Sequence, residues 1–359
     1  MDFKSFTAQI KEHFQKKKPF VIYKKPLALK MNCFLQNNDQ LDLLESYDQS
    51  GFVFAPFEER EKKVIFLSDN SRIFQFEWTE EMDLTHKISA NAEIKEEALK
   101  DRQSYIDSIE KCISYIKESA CTKIVFSRKQ IIHHKIEDIL VVFERLIVKY
   151  PSAFCYVWFH PGIGCWMGAS PEKLIMTLGN QFETMALAGT QKYIDNVNVV
   201  WQEKEKEEQQ LVTDYILEGL GSKVTEVSEP FTLKAGNLLH ICSKIKGELE
   251  AGDNLKVLVE RLHPTPAVCG LPKKLALDFI RKNEGYQRTY YSGFLGELNI
   301  DEGKCSAELF VNLRCMQIFP DHLEIYVGGG ITSKSIGEKE WEETVAKTMT
   351  MRSVLSEHI

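Results

Sequence analysis

Apolar and polar positions along this chain recur with two periods, and the changes between them mark out its elements. Tyr105, Ile109, Cys112, Ile113 and Ile116 fall at helical spacing, predicting a helix with one buried face. Residues 123–133, KIVFSRKQIIH, predict a strand: Ile124, Phe126 and Arg128 take one side, and Lys123, Val125 and Ser127 the other. The same patterns predict helices over 6–14, 137–150 and 200–218, the last capped by Gly219, and another beginning near Lys273. Strands are expected at 19–23, 52–56, 63–67, 73–78, 153–160 and 166–169, followed by a hairpin of 173–178 and 182–187 across Gly179 and Asn180. Further strands are expected at 238–249, 286–298, 307–318 and 323–327, and 91–103 reads as a charged linker. The strand at 323–327 runs into Gly328, Gly329 and Gly330, which read as a turn, and then into a helix. On that helix Glu340, Glu343, Lys347 and Thr350 form a polar stripe beside Trp341, Val345 and Met349.

Composition narrows the class. At 359 residues, with 43% hydrophobic and 27% charged positions, the chain suits one large or two ordinary globular domains. A net charge of -7 and the short basic run Lys16, Lys17, Lys18 argue against nucleic acid as a partner. No apolar run reaches the ~20 residues of a membrane span, and the N-terminus lacks the apolar core of a signal peptide, so a cytoplasmic protein is expected. The nine cysteines are odd in number and never spaced C-x-x-C, which predicts reduced, buried thiols rather than zinc or redox sites.

Several polar residues stand in apolar patterns. Lys123 shares a strand face with Val125, where it could snorkel at the strand end or, withdrawn from water, act as a base near neutral pH. Glu172 follows a proline at a strand start. Ala188, Gly189 and Thr190 carry little bulk where backbone could meet a ligand. Stepping back four residues from Val212 reaches Glu208, with Glu205 a turn earlier, so a carboxylate extends a buried helix stripe and needs a partner, for which a cation is one candidate. His240 is flanked by Leu238, Leu239 and Ile241, and Arg314 lies inside an apolar strand, where it calls for a carboxylate. The three glycines could admit an anion to backbone N–H groups, and the acids beyond them could hold a cation. Each feature singly also has a plain structural explanation.

Taken in order, KIVFSR, GASPEKL, LAGT, KEKEEQQLV, LLHI, LHPTPAVCGLP, YYSGFLG, LRC, VGGGI and EWEETVAK resemble the chorismate-utilising enzymes. That family includes isochorismate synthase, salicylate synthase and the large components of anthranilate and aminodeoxychorismate synthases. The matching pieces cover most of the last two-thirds, and GFVFAPF resembles the N-terminal part of isochorismate synthases. The resemblance implies an α+β fold of two antiparallel sheets packed face to face, helices outside and the site between them. Residues 1–100 would be a supporting segment and 101–357 the chorismate-binding catalytic region of one structural domain.

Within the family, LHPTPAVCG and Lys123 point to isochorismate synthase, since ammonia-adding relatives typically carry glutamine at the lysine position. The implied reaction adds water at C2 of chorismate and expels the C4 hydroxyl; similar bonds form and break, so its equilibrium should lie near unity. Carried over, Lys123 is the base and Glu172 the acid, which must therefore be protonated with substrate bound. Glu208 and Glu343 would hold one Mg2+, with Glu205 and Glu340 supporting through water. Arg314, Tyr291 and backbone at Gly328, Gly329 and Gly330 would bind the enolpyruvyl carboxylate, and Lys347 would add charge. Gly189, Thr190, Thr265 and Ala267 resemble pocket-lining positions, and His240 the pocket histidine near the departing group. Chorismate is then the partner, and no glutaminase subunit is expected; monomer is the default.

Three positions depart from the family pattern: Gln209 stands where histidine is common, Cys269 where a small residue is frequent, and Tyr291 fits both synthase and lyase branches. The alternatives are a salicylate synthase and a non-catalytic chorismate-binding subunit. Whether the product feeds menaquinone or a catechol siderophore is not written in the chain.

Overall fold

A computed structural model describes residues 3–78, 99–194, 196–197, 199–236, 238–250, 253–300 and 306–355. The chain opens with helix α1 (Phe3–Gln15) and strands β1 (Phe20–Lys24), β2 (Lys30–Gln36), β3 (Gly51–Ala55), β4 (Val64–Leu67) and β5 (Ser71–Glu77). Next come α2 (Leu99–Glu118), β6 (Lys123–Ile132), α3 (Ile139–Lys149), β7 (Phe154–His160), β8 (Gly164–Ser170), β9 (Lys173–Leu178) and β10 (Gln181–Lys192). After α4 (Glu203–Leu220) follow β11 (Val224–Val227), β12 (Phe231–Ala235), β13 (Leu238–Glu248), α5 (Leu255–Leu262), β14 (Gly270–Leu271) and α6 (Lys273–Asn283). The last elements are β15 (Phe294–Leu298), β16 (Ser306–Val311), β17 (Cys315–Ile318), β18 (Leu323–Ile331) and α7 (Gly337–Leu355).

The strands form two antiparallel sheets, the fold class read from the sequence. One runs β14-β6-β18-β17-β8-β7-β1-β2-β5; the other runs β11-β13-β10-β9-β16-β15-β3-β4, with β12 beside β13. Alternation explains how each strand serves two cores. Val21 and Tyr23 of β1 and Phe52 and Phe54 of β3 point between the sheets, while Phe20 and Ile22 face outward beneath helices. Trp158, Trp166, Phe154, Phe310 and their neighbours fill one half of the inter-sheet space with aromatic rings. The other half, between β6 and β18 on one side and β10 and β13 on the other, is lined by polar side chains and glycine backbone and stays open as a cavity.

Two strands change sheets side by side. Pro171 and Glu172 connect β8 of the first sheet to β9 of the second, while residues 312–314 connect β16 of the second to β17 of the first. Both connections stay laced: Ala169 N–H donates to the Arg314 carbonyl at 3.1 Å, and Val311 N–H donates to the Glu172 carbonyl at 3.0 Å. The expected continuous strand 307–318 is therefore two strands, and Arg314 occupies the break with φ 48°.

Other expectations need correction. Gly328, Gly329 and Gly330 are not a turn; they continue β18, opposite Ser127, Phe126 and Val125 of β6. The expected strand 238–249 is β13, but before it residues 231–235 form an unexpected strand, β12, that folds back beside it. Of 286–298 only Phe294–Leu298 is a strand, because Thr289 and Ser292 adopt φ 48° and 61°, outside the extended region. Helix α4 runs through Gly219 and is capped by Gly221 at φ 58°. Residues 99–103 of the expected linker belong to α2, and 91–98 lie outside the described residues. The pattern reading also missed β2, β11 and α5. The eight described cysteines are free and buried, as expected.

Beneath the cavity lies a buried ion pair, Glu284 and Arg288 at i and i+4, that the pattern reading did not single out. Arg288 donates from Nε to Oε2 of Glu284 at 2.8 Å, from Nη1 to the Val268 carbonyl at 2.8 Å and from Nη2 to the Val125 carbonyl at 2.6 Å. Oε1 of Glu284 in turn accepts from the N–H and hydroxyl of Ser127 at 2.8 and 2.9 Å. One guanidinium thus ties β6 to the turn before β14. Arg288→Met leaves Glu284 uncompensated in the interior and is expected to destabilise the protein by about 3–5 kcal/mol, checked by urea unfolding.

Candidate active site

The open half of the inter-sheet space is a cleft reached from solvent. Its opening follows from a strand that stops early. β17 pairs with β18 only as far as Cys315 opposite Tyr326, so from Val327 to Ile331 β18 has β6 on one side and no described strand on the other. The Gly328 carbonyl on that free edge accepts from Nζ of Lys347 at 2.8 Å. Alternation turns the backbone of Gly330 toward the same edge. Absent side chains let other groups close in: a Cβ on Gly330 would collide with Oε1 of Glu208, and one on Gly328 would lie 3.1 Å from the Tyr291 hydroxyl. On the opposite sheet, a bulge at Gly189, φ 71°, lets α4 approach; a Cβ there would meet Cβ of Glu205 at 3.0 Å.

Lys123, at the start of β6, has a fully buried side chain whose Nζ lies 2.9 Å from Oε1 of Glu208. This contact is an ion pair, and among the described residues no other group satisfies the ammonium. Burial opposes ionisation of Glu208, but Lys123, Lys347 and Lys204 outweigh it and hold this carboxyl below its usual range. Glu172, in the crossover, is 3% exposed; burial pushes its carboxyl up to about 8 against the pull of Lys123. The site therefore holds one carboxyl kept ionised and one kept neutral at pH 7, the separation that acid–base chemistry needs.

His240, on β13, is neutral, pushed down to about 3 by burial, Arg314 and Lys347. Its Nδ1 lies 3.0 Å from the Gly189 carbonyl, which can only accept, so Nδ1 carries the proton and Nε2 accepts from Nη2 of Arg314 at 3.3 Å. Thr190 lies 3.3 Å from the same Nδ1. Nη1 of Arg314, buried and without a partner among the described residues, remains free for an anion.

The acidic wall comes from two helices. Glu208 of α4 and Glu343 of α7 both line the cavity, and Glu343 accepts from Lys347 at 2.6 Å. A Cβ on Gly329 would lie 3.4 Å from Oε2 of Glu340 and 3.8 Å from Oε1 of Glu343, while Glu208 closes over Gly330, so the three carboxylates surround two consecutive glycines. These hard oxygen donors suit Mg2+, which takes few protein ligands and keeps part of its water.

Of the residues singled out in the sequence, Glu172, Gly189, Thr190, Glu208, His240, Ala267, Tyr291, Arg314, Gly328, Gly329, Gly330, Glu343 and Lys347 line the cavity. Lys123 lies just behind that lining, against Glu208 and Gly330. Thr265 is buried in the turn whose carbonyl accepts from Val268 and Cys269. Glu205 accepts from Gln202 N–H at 3.0 Å in a capping box at the start of α4, and Glu340 pairs with Lys204 at 3.0 Å. Gln209 turns away, donating to Thr213 and Ser243 at 2.9 and 3.0 Å between α4 and β13. Sequence reasoning missed Val125, Val327 and Leu313 of the cavity wall and Lys204. Lys204 stands at i−4 from Glu208, the one signal that pointed to it.

The family model for chorismate binding enzyme matches residues 9–356, nearly the whole chain. The chain belongs to the chorismate-binding enzymes. Isochorismate synthase EntC of Escherichia coli is 27% identical over 320 residues, 84% of this chain and 80% of that protein. Two solved structures share the chorismate-binding fold. That of a putative 2,3-dihydroxybenzoate-specific isochorismate synthase, DhbC from Bacillus anthracis, superposes with TM-score 0.78 at 21% identity, covering 98% of this chain and 99% of that one. That of MenF, the menaquinone-specific isochorismate synthase from Escherichia coli, gives 0.77 at 20% identity over 94% and 88%. No helix among the described residues of this chorismate-binding enzyme is long and apolar enough to cross a membrane.

Proposed function

We propose that the chain isomerises chorismate to isochorismate, adding water at C2 and releasing the C4 hydroxyl. The observation that carries this reading is the pairing of a fully buried lysine with a buried carboxylic acid pushed up to about 8 around one cavity. In its amine form Lys123 accepts a proton from the attacking water, and Glu172 donates one to the departing hydroxyl, so both leaving and entering groups stay neutral. Arg314, held by His240 through Nη2, offers Nη1 to a substrate carboxylate beside the Tyr291 hydroxyl. Glu208 and Glu343 would hold one Mg2+, with Glu340 behind Glu343. When bound, the ion neutralises and orients a substrate carboxylate. Gly328, Gly329 and Gly330 keep the floor free of side chains, and the apolar wall of Val125, Val327 and Leu313 limits bulk water around the reacting ring.

With water as nucleophile, no glutaminase partner is called for, and the matching setting is a cytoplasmic monomer. Incubating purified protein with chorismate and MgCl2 is expected to yield isochorismate in near-equal mixture with substrate. Chelation with EDTA abolishes turnover, and added Mg2+ restores it. Salicylate with pyruvate would instead show a lyase; absence of any product would show a binding subunit. Chromatography of the quenched mixture distinguishes the three.

A further inference from the structure

We propose that Lys204 is a positioning residue of the acidic wall: its ammonium closes off Glu340 and leaves Glu208 and Glu343 alone to take a single divalent cation. The inference rests on the metal reading above and assigns a function to a lysine outside the cavity lining.

Each of the three carboxylates around Gly329 and Gly330 has its own lysine. Lys123 stands 2.9 Å from Glu208, Lys347 2.6 Å from Glu343 and Lys204 3.0 Å from Glu340. The three pairs are not equivalent in exposure. The side chains of Glu208 and Glu343 are 16% and 27% exposed and line the cavity, whereas that of Glu340 is 2% exposed. Glu340 is thus withdrawn behind Lys204, whose own side chain is 35% exposed, while Glu208 and Glu343 face the space where a cation and a substrate would enter.

The third pair also joins the two helices that carry the cavity-facing carboxylates. Lys204 lies one helical turn before Glu208 on α4, and Glu340 one turn before Glu343 on α7. Their contact therefore sets the register of one helix against the other at the point where both carboxylates are presented, and the exposed pair of Lys334 with Glu207, 2.8 Å, ties the segment just before α7 to α4. Burial works against the charge on Lys204, but Glu340, Glu208 and Glu343 together outweigh it, so this ammonium answers to the whole wall.

Charge gives the functional consequence. Three carboxylates against three ammonium groups leave the wall neutral, so a divalent ion raises it to +2, the complement of a substrate with two carboxylates. A neutral wall binds Mg2+ weakly until that dianion arrives. Removing Lys204 leaves one negative charge over, which favours the cation without substrate. A residue with only a structural role would weaken Mg2+ binding when lost, so the direction of the change separates the two roles.

The test is calorimetric titration of MgCl2 into substrate-free protein at pH 8, repeated with Mn2+ followed by electron paramagnetic resonance. Lys204→Met is expected to bind Mg2+ about tenfold more tightly than wild type, the scale of one charge acting on a divalent ion across a few ångströms of partly hydrated space. Lys204→Arg is expected to match wild type, and Lys204→Met combined with Glu340→Gln to return within about twofold of it. Unchanged or weaker Mg2+ binding by Lys204→Met would overturn the proposal while leaving the metal site standing. If wild type binds neither ion and Glu208→Gln changes nothing, the metal reading itself is wrong, and the role of Lys204 falls with it.

Discussion

Lys123→Met loses turnover of chorismate by about 10³-fold or more while the protein stays folded and still binds chorismate in the presence of Mg2+. The methionine retains most of the buried aliphatic stem and lacks only the group that can take a proton. Because the ammonium is also the nearest counter-charge of Glu208, 2.9 Å away, some change in cation affinity accompanies the loss. Product formation by chromatography, with chorismate affinity measured by calorimetry, separates the two effects. A variant retaining a tenth or more of wild-type turnover would remove Lys123 from the role of base.

The second large effect belongs to Glu172 and appears in pH dependence. Its carboxyl lies at about 8 in the folded protein against 4.5 ordinarily, because burial disfavours the charged form. As an acid it works when protonated, so kcat/KM is expected to fall about tenfold per pH unit above roughly 8. Glu172→Gln removes that limb together with nearly all activity. Stability also falls with rising pH, over a lower window. Between 4.5 and about 8 the folded state holds a proton that the unfolded state has released, so wild type loses stability as pH rises through this window. Glu172→Gln escapes that loss. Relative to wild type it should gain on the order of 2–4 kcal/mol between pH 5 and pH 8, read from urea unfolding at the two pH values. A pH-independent difference would mean that Glu172 is not held neutral by the fold.

Periodicity found most of the helices and strands because burial of one face is a local demand on residue order. Tyr105 to Ile116 bury the face their spacing predicts, and Lys123 lies on the cavity side of β6 with Val125, opposite Ile124 and Phe126. Periodicity failed where a strand's neighbours change along its length. Residues 307–318 read as one strand, yet their two halves belong to different sheets, and the switch at Arg314 obeys pairing with β8 and β9, distant in sequence. The three glycines look like a turn in isolation. They are extended because β6 pairs with all three across the ladder, supplying hydrogen bonds that local propensity does not count.

By itself, then, the order of residues determined most of the helices and strands, the buried cysteines and the kinds of side chain available for chemistry, and its resemblance to a known family implied the two antiparallel sheets with outer helices. Only the tertiary structure decided that Glu172 and Arg314 meet at a corner where adjacent strands cross between sheets. It alone decided which lysine answers which carboxylate around Gly329 and Gly330, and that Gln209 turns away from the cavity while Lys204 belongs to its acidic wall. The physical reason is range. A residue's face is set by neighbours three or four positions away, whereas its partner and its protonation state are set largely by groups dozens to more than a hundred positions away, brought close by sheet pairing.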